Sequence, residues 1–412
     1  MQTQLEASIK NTPAGEEADA ILRSCVHCGF CLATCPTYQL LGDELDSPRG
    51  RIYLIKQLLE GAEATQKTQR HLDRCLTCRA CETTCPSGVQ YGRLLDIGRH
   101  QVEQQVERRL HVRLIRYALR KILPNRRIFV ALMTAARIAR PLMPAKLKKS
   151  IPPVSKEINL PVEGNGQRVM LVLDGCVQPV LKPAINLATS RVLKRVGIDL
   201  VSASQAGCCG ALAYHLNAQD EGLDAMRRNI DAWWPYVVHP NKPAEAIVIT
   251  ASGCGVTIKE YGHLLRHDDR YAEKAARISA LAKDIGEVMA AEKNHLATLM
   301  RNNTYLPHIA FHSPCTLQHG MRLNGVVEEL LQALGFKLAR IADAHLCCGS
   351  AGTYSLLQPQ LSRQLRDNKL AALCQEKSAL LATANIGCLM HLQAGTDKPV
   401  KHWIELLDEA LP

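Results

Sequence analysis

Two short stretches decide the fold: Cys25-Val-His-Cys-Gly-Phe-Cys-Leu-Ala-Thr-Cys-Pro36 and Cys75-Leu-Thr-Cys-Arg-Ala-Cys-Glu-Thr-Thr-Cys-Pro86. Each carries four cysteines with the spacing C-x2-C-x2-C-x3-C, followed directly by a proline. The chain has 17 cysteines in 412 residues. This count is odd, and disulfide frameworks belong to short secreted chains. The spacing of these eight cysteines therefore indicates metal ligation.

The spacing is that of the bacterial ferredoxin run. Three thiolates spaced by two residues let one tight loop wrap three corners of an iron–sulfur cube, and the fourth cysteine ligates the other cluster. Zinc is the competing interpretation, but zinc sites use pairs of ligands that complete one tetrahedron. We therefore predict two [4Fe-4S] clusters. Their predicted ligands are Cys25, Cys28, Cys31 and Cys85 for the first cluster, and Cys75, Cys78, Cys81 and Cys35 for the second.

The residues between the two runs predict helices. Ser47 can cap a helix that has Pro48 at its first position, and residues Thr68 to Arg74 predict a second helix. Residues 1–100 are therefore predicted to form a helical ferredoxin domain.

The C-terminal part contains an internal repeat. Four cysteines recur at an offset of 139 residues for the first three and 134 for the last: Cys176, Cys208, Cys209 and Cys254, then Cys315, Cys347, Cys348 and Cys388. Each copy alternates apolar strands (169–173 and 246–249; 308–311 and 379–382) with a helix (184–196; 326–334). This alternation predicts a parallel sheet with helices on both faces, with the cysteines beyond the carboxyl ends of the strands or at a glycine turn. These eight cysteines are candidate ligands of either a further iron–sulfur cluster or zinc.

The expected fold class is α+β multidomain, with an N-terminal helical ferredoxin domain followed by a duplicated α/β cysteine-rich domain. The predicted domains are 1–100 (ferredoxin), 101–160 (basic amphipathic helical linker), 161–300 and 301–412 (the two copies). We expect the two Cys-Cys-Gly turns to face each other across a pseudo-twofold axis. Cys374 has no counterpart in the first copy and is expected to be a small core residue on the apolar face of a helix.

The net charge of +11 comes from one segment. Residues Arg108–Lys149 contain 13 Lys and Arg and no Asp or Glu, so the rest of the chain is close to neutral. Apolar residues recur there at helical spacing, among them Leu110, Leu114 and Tyr117, with a break at Pro124. Two interpretations stay open: a membrane-surface helix pair, or a solvated linker whose apolar stripe packs against its own domains. Nucleic acid is disfavoured because aromatic residues that stack on bases are scarce.

Several motifs are missing from the sequence. Residues 1–20 are polar and acidic with no apolar h-region, and the longest clean apolar stretch, 128–136, is half of what a transmembrane helix needs, so we expect a cytoplasmic protein. No nucleotide-binding glycine motif and no Ser/His/Asp arrangement stands out, so no catalytic residue is predicted. One-electron centres alone cannot accept a hydride equivalent from an alcohol. The chain is therefore expected to need a flavin-containing partner.

These features resemble a known family. Two Cys-Cys-Gly repeats after a double ferredoxin run resemble the cysteine-rich domains of heterodisulfide reductases, and the order and length resemble the iron–sulfur subunits of bacterial glycolate oxidases. The resemblance covers roughly residues 15–412 and rests on Arg23–Tyr38, Asp46–Ile52 and Ala251–Gly255. Heterodisulfide reductases have a further cysteine where this sequence has Thr257 and His391. Their five-thiolate site therefore does not carry over intact.

The resemblance implies an electron-transfer subunit with no catalytic residue of its own. Electrons from glycolate oxidation to glyoxylate, on an FAD-containing partner, would pass to a membrane acceptor or quinone at the cytoplasmic face of the inner membrane. The alternatives are the same role in a lactate-oxidising or anaerobic glycerol-3-phosphate dehydrogenase complex, and a metal-stabilised nucleic-acid or lipid-binding protein. His391 is either a fifth ligand of the second copy or an ordinary loop histidine. His312 and His319 flank Cys315 and are equally open.

Overall fold

The computed structural model describes residues 1–144, 168–301 and 306–412. These residues form a helical N-terminal module, a pair of helices, and two α/β units with four parallel strands each. The expected fold class, a helical ferredoxin region followed by a duplicated α/β cysteine-rich domain, is confirmed.

The N-terminal module consists of helices joined by the two cysteine loops. Its helices are α1 (Ala7–Lys10), α2 (Pro13–Ser24), α3 (Pro36–Leu41), α4 (Pro48–Leu59), α5 (Gln66–Asp73), α6 (Ala80–Thr84) and α7 (Tyr91–Gln105). Ser47 caps α4 as predicted, because its hydroxyl accepts a hydrogen bond from the Gly50 amide at 3.0 Å and Pro48 holds the first position. The predicted helix before the second run is α5. Apolar side chains of α2, α4, α5 and α7 form a separate buried core around Ile55 and Leu94.

A pair of helices follows this module. They are α8 (Leu110–Ile122) and α9 (Arg126–Ala139), with Pro124 in the break between them, as the periodicity predicts. The predicted boundary at residue 100 lies inside α7, and the boundary at residue 160 lies outside the described residues. The domain boundaries therefore stay a prediction.

The first α/β unit has the strand order β2-β1-β3-β4, all parallel. Its strands are β1 (Arg168–Val172), β2 (Ile198–Ser202), β3 (Ile247–Ile249) and β4 (Ala282–Asp284). Its helices are α10 (Gln178–Leu181), α11 (Ala184–Arg195), α12 (Ala211–His215), α13 (Gln219–Val237), α14 (Ser252–Lys259), α15 (Tyr261–Leu264), α16 (Ala272–Leu281), α17 (Ile285–Ala291) and α18 (Lys293–Leu299). Parallel pairing places all strand carboxyl ends at one edge of the sheet.

The second unit repeats this topology, with the order β6-β5-β7-β8. Its strands are β5 (His308–His312), β6 (Lys337–Leu338), β7 (Leu380–Thr383) and β8 (Val400–His402). Its helices are α19 (Val326–Ala333), α20 (Tyr354–Leu357), α21 (Pro359–Leu373), α22 (Ile386–Gln393) and α23 (Trp403–Ala410).

The two units pack through equivalent helices. Helix α11 contacts α23, and α17 contacts α19, so each unit offers the helix after its first strand to the helix after the last strand of the other. Arg191 and Arg195 on α11 both form ion pairs with Asp408 on α23, at 2.6 and 2.9 Å. One continuous core, including Val248 and Phe311, runs through both units. This exchange is the arrangement that a pseudo-twofold axis produces.

The prediction for Cys374 is wrong, because its side chain is exposed. Helix α21 ends at Leu373, and Cys374 is its C-cap residue. The apolar face of α21 is formed by Leu365, Leu370 and Leu373, which are buried. Cys374 lies just past the end of that face and turns to solvent.

Candidate metal centres

The four cysteines predicted to hold the first cluster line one small cavity. Cys25, Cys28 and Cys31 come from the loop after α2, and Cys85 comes from the end of α6. Cys81 also reaches the wall of this cavity. Cys28 is exposed, so this quartet, the outer quartet, lies at the protein surface.

The four cysteines predicted to hold the second cluster line a second cavity. Cys75, Cys78 and Cys81 come from the second run, and Cys35 comes from the end of the first. The Thr77 amide and the Tyr91 hydroxyl each donate a hydrogen bond to Cys75 Sγ, at 3.4 and 3.5 Å. These four cysteines, the inner quartet, are further from solvent than Cys28.

The two loops have the same backbone shape. His27 and Thr77 occupy matching positions with φ of +56° and +53°, and Gly29 and Arg79 match with φ of +87° and +60°. Residues with positive φ bend the chain sharply, and such bends at functional sites are held by their surroundings. The repeated bend turns the three cysteines of each run toward one space.

The thiols of the inner quartet are buried, so their negatively charged thiolate forms need a cation nearby. Burial raises the pKa of the Cys78 and Cys81 thiols well above the usual range, and the neighbouring thiols raise it further. Metal binding takes the protons of such thiols, because the ligating form is the thiolate. Four thiols around one space, with no disulfide, therefore match the donor chemistry of an iron–sulfur cluster. That each quartet ligates a cluster stays a prediction.

A buried cation supports the inner quartet and was not foreseen from the sequence. The Arg51 guanidinium is 1% exposed and donates to the Thr37 hydroxyl at 3.1 Å, and the Thr37 hydroxyl lies 3.3 Å from Cys35 Sγ. The carboxylate of Asp46 accepts a further hydrogen bond from Arg51 at 3.3 Å. Arg51 lies between Gly50 and Ile52 on the buried face of α4, and this position is the only sequence signal that could have pointed to a buried cation.

The cysteines of the first α/β unit gather beyond the carboxyl ends of its strands, as predicted. Cys176 follows β1, Cys208 and Cys209 follow β2, and Cys254 lies in the first turn of α14 after β3. Contacts with Cys176 and Cys209 lower the pKa of the Cys208 thiol well below its usual value, and the contact with Cys208 raises that of Cys176. The contact between the two therefore favours the thiolate of Cys208 over that of Cys176.

The second unit gathers its cysteines in the same way. The sulfurs of Cys315 and Cys347 lie 3.6 Å apart, and the Gly349 amide donates to Cys347 Sγ at 3.4 Å. Cys388 lies in the first turn of α22. The Ser362 hydroxyl donates to the Gly349 carbonyl at 2.7 Å and so braces the Cys-Cys-Gly turn.

One histidine joins this second group. A ring nitrogen of His312 and the sulfurs of Cys348 and Cys388 all lie within 4.8 Å of one another. The imidazole is buried, and its Nε2 has no hydrogen-bond partner in the part of the chain that the structure describes. Burial lowers the pKa of His312 to about 3, which leaves the neutral form that metals bind. The matching residue of the first copy is Leu173.

The other two histidines have different partners. His391 lies in α22 rather than in a loop, and its Nε2 lies 3.1 Å from the Ser362 hydroxyl oxygen. His319 connects the N-terminal module to the second unit, because its Nδ1 lies 2.9 Å from the Thr83 hydroxyl oxygen.

The inner quartet lies against the second unit. Cys78 packs on a small buried cluster that contains Leu76, Cys315, Cys347 and Tyr354. After burial, the neighbouring Cys315 is the next cause of the raised Cys78 pKa. The ferredoxin run and the second Cys-Cys-Gly turn are therefore direct neighbours.

A large cavity of about 910 Å³ lies between the N-terminal module, α8 and both α/β units. Cysteines of both copies line it: Cys176, Cys208, Cys209, Cys254, Cys315, Cys347 and Cys388, together with Cys75 of the second run. The two Cys-Cys-Gly turns thus face one common space.

The basic segment does not present all its charges to solvent. Arg108 forms ion pairs with Asp73 and Glu103 at 2.5 and 2.7 Å, and Lys121 pairs with Glu221 at 2.9 Å. The last three lysines of the segment, Lys146, Lys148 and Lys149, lie outside the described residues. No helix of the described ranges is long and apolar enough to span a membrane.

The apolar stripe of α8 is exposed. Leu110, Leu114 and Tyr117 are 69%, 59% and 54% exposed, so the stripe does not pack against the described parts of its own chain. On α9, Phe129 is buried, whereas Leu132 is 48% exposed. We call the exposed side chains of these two helices the α8–α9 surface: Leu110, Leu114, Tyr117, Ile128, Leu132 and Ile138 with the exposed Arg109, Arg113, Arg126 and Arg127.

Comparisons with known proteins agree with this architecture. Residues 21–89 match the 4Fe-4S dicluster domain family, and residues 170–259 and 309–393 each match the cysteine-rich domain family. The glycolate oxidase iron-sulfur subunit of Escherichia coli is 53% identical over 411 residues, which cover 100% of this chain and 99% of that protein. A probable glycolate oxidase iron-sulfur subunit of Bacillus subtilis is 32% identical over 405 residues, 92% of this chain and 89% of that protein. Lactate utilization protein A of Bacillus velezensis is 28% identical over 231 residues, 55% of this chain and 91% of that protein.

Fold, cysteine positions and matched domains define the class: an iron–sulfur protein that transfers electrons as a subunit of an oxidoreductase complex. Within that class, the chain belongs to the family of glycolate oxidase iron-sulfur subunits. The resemblance stated from the cysteine runs is thereby confirmed.

Proposed function

We propose that this chain transfers electrons from a flavin-containing partner, on which glycolate is oxidised to glyoxylate, to an acceptor in the membrane. The observation that supports this proposal best is the arrangement of two cysteine quartets, each built from both runs, in a chain that is similar over its whole length to the glycolate oxidase subunit of E. coli. The similarity to lactate utilization protein A covers about half of the chain and makes lactate the second substrate to test.

The residues fit two [4Fe-4S] clusters. Cys25, Cys28, Cys31 and Cys85 would hold one, and Cys35, Cys75, Cys78 and Cys81 the other. Clusters held there supply one-electron transfer, which a flavin partner needs in order to release the electron pair of an alcohol singly. The chain's own contribution is to hold the thiols with the Thr77 and Tyr91 donors and to keep water away from the inner quartet.

The partner docks at the outer quartet in this proposal. Val26 and Phe30 flank the exposed Cys28 and are 67% and 62% exposed, and Tyr53 beside His27 is 46% exposed. We call Val26, Phe30 and Tyr53 the entry patch. Exposed apolar side chains around a redox centre favour a protein partner, because such side chains are otherwise buried.

The second Cys-Cys-Gly copy binds metal in this proposal. Tetrahedral zinc with sulfur ligands at about 2.3 Å needs ligand atoms about 4 Å apart, close to the limit of 4.8 Å within which His312, Cys348 and Cys388 lie. A further iron–sulfur cluster held by the cysteines is the other chemistry open to this copy. In the described residues, no such trio of ligand atoms forms in the first copy.

The acceptor lies in the membrane in this proposal, and the chain reaches it through the α8–α9 surface. Exposed leucines next to exposed arginines on helices that cannot span a bilayer are typical of interfacial helices. We propose that the chain therefore lies at the cytoplasmic face of the inner membrane.

Co-purification with a tagged chain tests the proposal. We expect a flavin-containing partner and reduction of a redox dye with glycolate as donor, with lactate and glycerol 3-phosphate as the alternative donors. If lactate were the only donor that reduces the dye, the substrate of the complex would be lactate, and the electron-transfer role of the chain would stand. A colourless protein without iron, or one that binds nucleic acid and transfers no electrons, would overturn the role itself.

A further inference from the structure

Arg116 is a buried cation without an ion pair. It points from α8 toward the interior, is 9% exposed, and lines the 910 Å³ cavity. Among the described residues, no carboxylate lies within 4.0 Å of its guanidinium and no acceptor takes a hydrogen bond from it. Burial and the nearby Arg108 lower its pKa to about 10. The described part of the chain supplies no acceptor for this guanidinium, so its donors face the cavity.

Two other cations of the cavity wall, Arg70 and Arg109, are exposed, and the less exposed ones are already engaged. Arg79 forms an ion pair with Glu260 at 2.6 Å, Arg108 pairs with Asp73, and Arg99 donates to the backbone carbonyls of Leu72 and Cys75. Arg116 is therefore the buried cation of this wall with donors to spare.

Apolar side chains surround Arg116 on the side of α8. Val112 and Ile115 precede it on the helix, and Leu123, Phe129 and Leu181 complete this part of the wall. Ile115 is 47% exposed and is the sequence neighbour of Leu114 in the α8–α9 surface. At the far side lie Cys75 of the inner quartet and the cysteines of both Cys-Cys-Gly copies.

We propose that this cavity binds the head group of a lipid-soluble quinone, with the Arg116 guanidinium donating to a quinone oxygen. The volume lies within the roughly 300–1,000 Å³ of small-molecule sites. The apolar part of the wall, formed by Val112, Ile115, Leu123, Phe129 and Leu181, suits a ligand with a hydrocarbon tail, which a small carboxylate lacks. The guanidinium also stabilises the negative charge that a quinone oxygen gains on reduction.

This inference rests on the proposed function for its electrons. Reduction of one quinone to quinol needs two electrons, which clusters held by the cysteines would supply singly, and two protons from solvent. The flavin partner, oxidising glycolate, is the reductant. The quinone carbonyl oxygens become hydroxyl groups, and no bond to the protein forms or breaks.

The test uses the purified complex with its flavin partner, a ubiquinone with a ten-carbon tail, and a hydrophilic redox dye as a second acceptor. Arg116→Gln is compared with Arg277→Gln, because Arg277 is exposed on α16 and belongs neither to the cavity wall nor to the α8–α9 surface. We expect Arg116→Gln to raise the KM for quinone about tenfold or more, the loss of one charged hydrogen bond, with dye reduction unchanged. Arg277→Gln should keep both activities. A photoreactive azidoquinone should label the cavity wall of the wild type and label Arg116→Gln less.

A second variant keeps the inference testable if Arg116→Gln folds poorly. Val112→Trp fills part of the cavity beside Arg116 and should lower quinone reduction while dye reduction stays. Wild-type KM and wild-type labelling in both variants would overturn the quinone site, as would protection from labelling by a small carboxylate but not by quinone. Absence of glycolate-dependent dye reduction in the wild type would instead refute the proposed function, since azidoquinone labelling needs no donor.

Discussion

Gly210 and Gly349 adopt the same left-handed conformation at the ends of the two Cys-Cys-Gly turns, with φ of +91° and +84°. A Cβ atom at Gly210 would lie 2.6 Å from the Gly222 carbonyl oxygen, and one at Gly349 would lie 2.6 Å from the Ser362 carbonyl oxygen. Both turns thus need glycine for two reasons, the backbone angle and the close approach of a neighbouring helix. The shape of the turn fixes where the paired thiols lie.

Replacing Gly349 by alanine should destabilise the second unit and lower its metal content. The left-handed angle contributes about 1–2 kcal/mol and the contact with backbone adds to it, so we expect a loss of roughly 2–4 kcal/mol. Urea unfolding and metal analysis measure both effects. Gly352→Ala is the control, because Gly352 has φ of +60° but open space around its Cβ position. Equal losses in the two variants would show that the contact with Ser362 is unimportant.

Each N-terminal quartet should lose its own cluster when one cysteine is replaced. Cys28→Ser or Cys78→Ser is expected to remove about four irons from a total of about eight in the module, and to block dye reduction by the complex. Iron analysis and electron paramagnetic resonance of the anaerobically purified protein measure this. Cys374→Ser, at the exposed cysteine after α21, should change neither. Full iron and activity in both quartet variants would refute the ligand assignment.

Replacing Phe30 by serine should weaken binding of the flavin partner. An exposed aromatic side chain that is buried in an interface contributes about 1–2 kcal/mol or more, so the Kd should rise roughly tenfold or more. Titration of the purified partner onto the chain measures the change, with iron content as a check that the outer quartet is intact. Val238→Ser is the control, because Val238 is 52% exposed and lies away from the entry patch on the first unit. An unchanged Kd for Phe30→Ser would place the interface elsewhere.

The contribution of Asp284 to the stability of the protein should fall as the pH rises from about 5 to 7.5. Burial raises the pKa of Asp284 from 3.8 to about 7, so in this range the folded state holds a proton that the unfolded state has lost. This contribution is highest below the unfolded pKa and decreases until the pH passes the folded pKa, by about 2.5 kcal/mol between pH 5 and 7.5. Asp284→Asn should remove this part of the pH dependence, because asparagine keeps the cap on α17 and has no proton to lose. Unfolding curves of both proteins with the same pH slope would contradict the prediction.

Replacing the four exposed arginines of the α8–α9 surface by glutamine should release the protein from anionic vesicles. Each arginine near an anionic leaflet contributes about 1 kcal/mol, so the partition coefficient should fall on the order of a hundredfold or more at low salt. Vesicle sedimentation measures it. The control replaces four exposed cations elsewhere, Lys67, Lys283, Arg301 and Lys377. Unchanged sedimentation, or loss of the flavin partner instead, would assign this surface to a protein contact.

The parts of the structure that follow from local spacing could be predicted from the sequence. The loop of each run is short, so three of its cysteines must face one space, and the strand–helix alternation around Cys176 and Cys315 allows few topologies. Helices α8 and α9 followed from periodicity. Periodicity did not show which face of these helices is buried, because Leu114 is exposed and Arg116 is buried. Burial here depends on which side chains the other domains place against the helices.

Contacts between domains could not be predicted. The packing of the N-terminal module against the second unit brings Cys78 close to Cys315 and forms the cavity that Arg116 lines. The spacing of residues in the sequence gives no information about this packing. The prediction that Cys374 is a core residue was wrong for a local reason. Periodicity does not locate a helix end to one residue, and one residue separates the buried Leu373 from the exposed cysteine.

The approximate twofold relationship of the two α/β units affects how a molecule can bind in the cavity between them. A perfectly symmetric cavity would bind a ligand in two equivalent orientations. In half of the bound molecules the reacting end would then point away from the inner quartet. Here the second copy has His312 where the first has Leu173, and Cys78 packs on two cysteines of the second copy. The two copies therefore present different side chains to a molecule bound between them. A quinone in the proposed site would be held in one orientation, with its reacting end toward the inner quartet.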